Sequence, residues 1–298
     1  MTRAGEAVAA ESAAASTPAP PLPTAWQAVI LLCLIGFLYY AVIGKLVHDW
    51  WMDPNFSHGF FVPLFSGFLI WTQREQLAKV PRRPAWSGFA VILAALILLI
   101  LGNLGIDLFL TRVSLVGLLA GLVIFFGGWA VFRAVFFAWA FLILMIPIPA
   151  IVLNQVTFPL QLLASRLASE ILPVFSVPVL REGNVIQLPA MRLEVAEACS
   201  GIRSLLSLTT LALIYGYFLD PKIWRRILLA LAAVPIAVVA NAMRVVGTGV
   251  AVQYWDADKA LGFFHEFSGW VIFVVLLFLL FAVHGAIRLL SARLGKSQ

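Results

Sequence analysis

The chain of 298 residues is 62% hydrophobic and only 11% charged, with a mean hydropathy of +1.01. Soluble domains are nearer one half apolar, so the composition excludes one and predicts an all-α polytopic membrane protein. The formal charge of +6 does not indicate a nucleic-acid partner, because the basic residues fall in short loops between apolar runs, where they report membrane orientation. Cys33 lies inside one apolar run and Cys199 at the edge of another, so no disulfide between them is expected and neither informs on redox compartment.

Residues 1–25 are rich in Ala, Ser and Pro, too poor in apolar bulk to fold, and read as a disordered cytoplasmic tail. Residues 26–290 are the expected membrane domain of about eight spans, and 291–298 a short basic cytoplasmic tail. The first span covers about 26–44 and opens into HDWWMDPNFSHG, whose aromatics and carboxylates suit an interface, with Ser57 and His58 as anchors there. The second, about 60–71, is short and ends in the basic loop TQREQLAKVPRRP. The third covers about 86–102, and a turn holding Asp107 and Arg112 leads into the fourth, about 113–131. Arg133 marks the turn into the fifth, about 134–148, which stops at Pro147 and Pro149 because proline cannot continue a helix.

From Val152 to Leu172 polar residues recur at helical spacing, which predicts a helix lying in the interface. The following SVPVLREGNVIQLPAMRLEV alternates short Val, Ile and Leu runs around an Arg-Glu-Gly-Asn turn, the pattern of a β-hairpin. A lipid-exposed strand edge is not tolerated, so the hairpin is expected in water on the extracytoplasmic side. The sixth, seventh and eighth spans are expected at about 201–218, 227–251 and 270–290. With both termini cytoplasmic, Arg74, Arg82, Arg83, Arg133, Arg225 and Arg288 all fall inside, the arrangement that the positive-inside rule selects.

Three segments carry candidate chemistry. In EVAEACSGIRSLL an acidic stretch turns into an apolar helix, and Cys199 stands at that turn. A thiol at the first turn of a helix feels the positive end of the dipole and unpaired N–H groups, which favour thiolate, whereas a lone Cys in an apolar chain is more often a small buried hydrophobe. In VVANAMRVVGTGV, Asn241, Arg244 and Thr248 recur at i, i+3 and i+7, one polar stripe on an apolar helix. A cation at that depth is costly unless paired or wetted, so Arg244 is expected to face the bundle interior, with Gly247 and Gly249 admitting a close neighbour. His265 stands in GFFHEFSGW at the outer start of the last span. A thiol, a titratable base and a fixed cation from three helices are the parts of a thiol acyl-transfer site.

EACSGIRS, then NAMRVVG, then FHEFSGW resemble the exosortase and archaeosortase family of membrane transpeptidases. WWMDPNFSHGF and VLREGNVIQLP resemble its bacterial exosortase branch. By position, the resemblance implies Cys199 as the catalytic cysteine, Arg244 as the catalytic arginine and His265 as the third residue. It also implies substrates that are membrane-anchored proteins with a C-terminal Pro-Glu-Pro motif, one span and a basic tail, cleaved on the extracytoplasmic face of the bacterial inner membrane and passed to an unknown acceptor. No metal or cofactor is expected. Arg203, one turn beyond Cys199, and Asn241 are the expected substrate-binding residues, although Arg203 reads equally well as an interfacial partner of Glu194 or Glu197. Two other classes compete: a transporter using Arg244 and His265 in an ion path, and a non-catalytic membrane factor for envelope polysaccharide export.

Overall fold

The computed structural model of the chain describes residues 24–189, 191–195, 201–255 and 263–294, without the side chains of 201–204, 263–270 and 292–294. The expected tail at 1–25 lies almost wholly outside the described residues, as does the second half of 291–298. The chain divides into two compact units, Met1–Met52 with Gly59–Pro147, and Asp53–His58 with Ile148–Gln298. Five helical segments are long and apolar enough to cross a membrane: Ala25–Met52, Ser87–Leu104, Leu108–Met145, Ile223–Tyr254 and Val271–Ser291, with Leu205–Leu219 a shorter apolar helix. The chain is an all-α polytopic membrane protein, and its eight expected apolar runs fall largely on helix.

The first unit holds α1 (Ala25–Met52), α2 (Phe61–Thr72), α3 (Arg74–Lys79), α4 (Ser87–Leu104) and α5 (Leu108–Phe141). Asp107 starts α5 as its N-cap, its carboxylate accepting from the amides of Phe109 and Leu110. Arg112 is not in that turn. It is buried and ion-paired to Asp49 near the end of α1.

α5 is two helices rather than one rod. The indole N–H of Trp139 donates to the Val116 carbonyl at 2.8 Å, whereas 23 residues of straight helix would separate them by about 34 Å. The chain folds back at Gly128, whose φ of 82° and ψ of 176° suit glycine alone. A Cβ there would also lie 2.0 Å from the Arg83 carbonyl. The turn therefore comes at Gly128, five residues before the expected Arg133. Gly128 is inconspicuous in the sequence because it sits inside an apolar run beside Gly127. Carbonyls freed by the break are bonded again: Gly127 accepts from the Arg83 amide (3.2 Å) and Phe125 from the Ala85 amide (3.3 Å). Backbone groups at membrane depth require such partners. α4 packs tightly on the first limb, where Cβ atoms on Gly88 or Gly121 would strike Phe125 and Ile92. The Met145 carbonyl, whose helical partner would be the missing N–H of Pro149, accepts from the Trp50 indole at 2.8 Å.

The second unit holds α6 (Ala150–Ile171), a small sheet, α7 (Gly201–Leu219), α8 (Ile223–Tyr254) and α9 (Phe263–Leu294). The expected hairpin is a three-stranded antiparallel sheet of β1 (Leu180–Glu182), β2 (Val185–Gln187) and β3 (Arg192–Glu194), in that order. Glu182 pairs with Val185 across Gly183 and Asn184, with φ of 65° at Gly183, as a two-residue hairpin turn requires. The third strand, set off by Leu188 to Met191, pairs Leu193 with Ile186. The sheet packs on protein through one face: Ile186 and Leu193 share a core with Ala164 and Ala168 of α6 and Ala242, Val245 and Val246 of α8. One face of α6 is thereby covered by protein, and Ser165 Oγ, 2.9 Å from the Gly183 carbonyl, ties the helix to the turn. A second core joins Leu208 and Ala212 of α7, Leu229, Ala233 and Ala237 of α8, and Leu276 and Leu280 of α9.

Candidate active site

α7, α8 and α9 run alternately up and down, with only Asp220 to Lys222 between the first two. One end of this bundle therefore holds the start of α7, the end of α8 and the start of α9. Arg203 lies in the first turn of α7 and His265 in the first turn of α9; their side chains are outside the described residues. Cys199, two positions ahead of Gly201, is outside them altogether. Heights can be compared from the layer where His284 meets the Tyr215 hydroxyl and Arg226 packs beside Gly216. At ~1.5 Å per residue, Arg244 is about 27 Å above it, His265 about 28 Å, Asn241 about 22 Å and Gly201 about 21 Å.

Arg244 is the best-described member. It is 6% exposed, within the turn of α8 that carries Ala242, Val245 and Val246 into the core with the sheet. A snorkelling arginine would expose its head, so the interior orientation read from the polar stripe is the one adopted. Thr248, one turn on, is also buried, and Asn241 is half-buried. The two glycines differ. A Cβ on Gly249 would lie 2.8 Å from Leu172, the close approach expected, whereas on Gly247 it would meet nothing within 4 Å. Chemically, a covered guanidinium is a fixed cation in a low-dielectric setting, where it stabilises negative charge strongly.

At the opposite end lies a polar cluster that the sequence reading passed over. Asp220 is 2% exposed, and its carboxylate accepts from the Lys222 amide (2.9 Å) and faces His284 Nε2 (3.2 Å) and Arg225 Nη1 (3.5 Å). His284 Nδ1 is 3.1 Å from the Tyr215 hydroxyl. Burial pushes the Asp220 carboxyl up, but the Lys222 amide, His284 and Arg225 together outweigh it and hold the pKa below its ordinary value. The sequence does carry a signal for it, because a histidine inside an apolar run marks a partnered site, whereas Arg225 reads there only as an orientation charge. Among the described residues no group of three or more His, Cys, Asp or Glu side chains is placed to hold a metal.

Fold and site together define a multi-pass membrane protein with a buried cation on α8. The chain belongs to the transmembrane exosortase family, whose model matches residues 50–282, well over half of its length. It is thus a membrane exosortase-type protein, and its family implies protein substrates that carry sorting signals. No curated protein and no solved structure matches it.

Proposed function

We propose that the chain is a cysteine transpeptidase that cleaves a C-terminal Pro-Glu-Pro type sorting signal on the extracytoplasmic face of the bacterial inner membrane, with both termini cytoplasmic. The observation that carries the reading is the covered Arg244, at the height of the first turn of α9 and near that of α7, in a member of the exosortase family. In the proposed reaction His265 takes the Cys199 proton and the thiolate attacks the scissile carbonyl. Arg244 stabilises the oxyanion. The C–N bond breaks, the leaving amine takes the proton from His265, and the N-terminal part of the substrate is held as a Cys199 thioester. An acceptor nucleophile then attacks that thioester and the thiol is released. Arg203 and Asn241 bind the sorting motif beside it.

The test is the acyl-enzyme. With the acceptor depleted, a substrate bearing the sorting signal should accumulate a covalent adduct that hydroxylamine cleaves and that Cys199→Ala never forms. Adduct-free processing by Cys199→Ala would overturn the mechanism in favour of a transporter or a membrane scaffold.

A further inference from the structure

The far end of the α7–α8–α9 bundle carries more positive charge than its described carboxylate, Asp220, balances. Asp220 is committed to the Lys222 amide, His284 and Arg225, and its main-chain carbonyl accepts from Arg226 Nε at 2.7 Å. This anchors one edge of the Arg225 guanidinium. Its Nε is buried, and the guanidinium carbon lies 5.4 Å from the centre of the Trp224 ring. The side chain is 13% exposed, and it opens on a groove lined by Arg225, Gly285, Arg288 and Leu289. A Cβ on Gly285 would meet nothing within 4 Å, so the groove is open at the residue after His284. Arg288 is exposed one turn further on, at i+4 from His284.

Among the described residues, two arginines and no carboxylate line this groove. Two guanidinium groups on one groove call for an anion, and their fork geometry matches phosphate oxygens. The surroundings decide which kind. Leu289 lines the groove, Leu290 beside it is exposed, and Leu219, Ile223 and Trp224, which flank Asp220 and Arg225 in sequence, are exposed as well. A soluble anion has no use for that apolar collar, whereas acyl chains do. We infer that Arg225 and Arg288 hold the headgroup phosphate of an anionic membrane lipid, whose chains lie along the exposed leucines of the helix ends. This rests on no part of the proposed reaction.

The experiment uses the full chain, reconstituted in bilayers of phosphatidylcholine with phosphatidylglycerol and then extracted in mild detergent, with retained lipid counted by native mass spectrometry. The wild type should retain phosphatidylglycerol over phosphatidylcholine, and Arg288→Gln should reduce that retention about tenfold. Arg74→Gln, at a cation stacked on Trp71 in the first unit, should leave it unchanged. Because Arg288→Gln does not touch the Asp220–Arg225 pair, an unaltered melting temperature separates lost binding from lost folding. Equal retention of both lipids by the wild type, or undiminished retention by Arg288→Gln, overturns the site. Displacement of the bound lipid by millimolar inorganic phosphate, with phosphate protecting the protein as well as phosphatidylglycerol does, would assign the groove to a soluble anion and overturn the lipid.

Discussion

Arg112 near the start of α5 is bonded through Nη2 to the Asp49 carboxylate of α1, joining residues 63 apart in sequence across one end of the first unit. The two partners are unequally covered: the Arg112 side chain is 4% exposed and that of Asp49 33%. Removal of the acid therefore strands a buried cation, while removal of the cation leaves a carboxylate that water still reaches.

Asp49→Asn is accordingly expected to be the more damaging of the two single changes, at roughly 2 to 3 kcal/mol, below the range for fully buried pairs because Asp49 is partly solvated. Arg112→Met should cost less, and the double variant should recover part of the Asp49→Asn loss. Thermal unfolding of all four proteins in one detergent gives the cycle. Strictly additive losses would show that the pair is not coupled.

Gly128 makes the second prediction. Alanine there must adopt a φ of 82° and place its Cβ 2.0 Å from a main-chain oxygen that cannot rotate away. Gly128→Ala should destabilise the first unit by at least about 2 kcal/mol, or open the hairpin, whereas Gly36→Ala, with nothing within 4 Å, should be neutral. Limited proteolysis of membrane vesicles reports the difference, and equal resistance of the two variants would contradict the hairpin.

Much of this was legible in the sequence. Helix positions follow from apolar runs bounded by Pro, Gly and basic loops, and the Arg244 stripe announces its buried face through spacing alone. What escaped depends on partners far apart in the chain. The break at Gly128 is stabilised by Arg83 and Ala85, the third strand exists because β2 offers a free edge, and Asp220 is buried only because His284 comes from another helix. For the same reason the sequence suggests Arg112 as a turn residue and Asp49 as an interface carboxylate, not as a pair. Local pattern encodes an element's period, but not which distant residue completes its hydrogen bonds.

The Asp220 cluster predicts a pH dependence with a definite sign. A carboxyl whose folded pKa lies below its unfolded value adds stability above the unfolded value, about 3.9, and loses it as the pH falls through the folded one. Among the described residues, its carboxylate faces the Lys222 amide, Arg225 Nη1 from α8 and His284 Nε2 from α9, with Tyr215 from α7 behind the imidazole and Arg226 on the main-chain carbonyl. Asp220→Asn should therefore melt below the wild type at pH 6, with the gap closing as the pH drops under about 4. A gap that stays constant with pH would mean that the charge contributes nothing and only the side-chain shape matters.

The last prediction concerns Arg244, where charge and geometry can be separated. Lysine keeps the positive charge but offers a compact ammonium in place of a planar fork of donors, and its shorter head cannot reach the same points from the same backbone position. If Arg244 stabilises an oxyanion, Arg244→Lys should lower turnover by about 10²-fold or more, the effect of losing one well-placed oxyanion donor. Substrate binding should change far less, because the oxyanion exists only in the transition state. The residue is also covered by the core of α8, α6 and the sheet, so a fold defect has to be excluded by comparing melting temperatures. Arg244→Met supplies the second comparison, since it retains apolar packing and removes the cation. Loss of turnover in both variants with near-native melting would place Arg244 in the chemistry. Wild-type processing by Arg244→Met in a folded protein would remove it from the mechanism and leave it a structural cation.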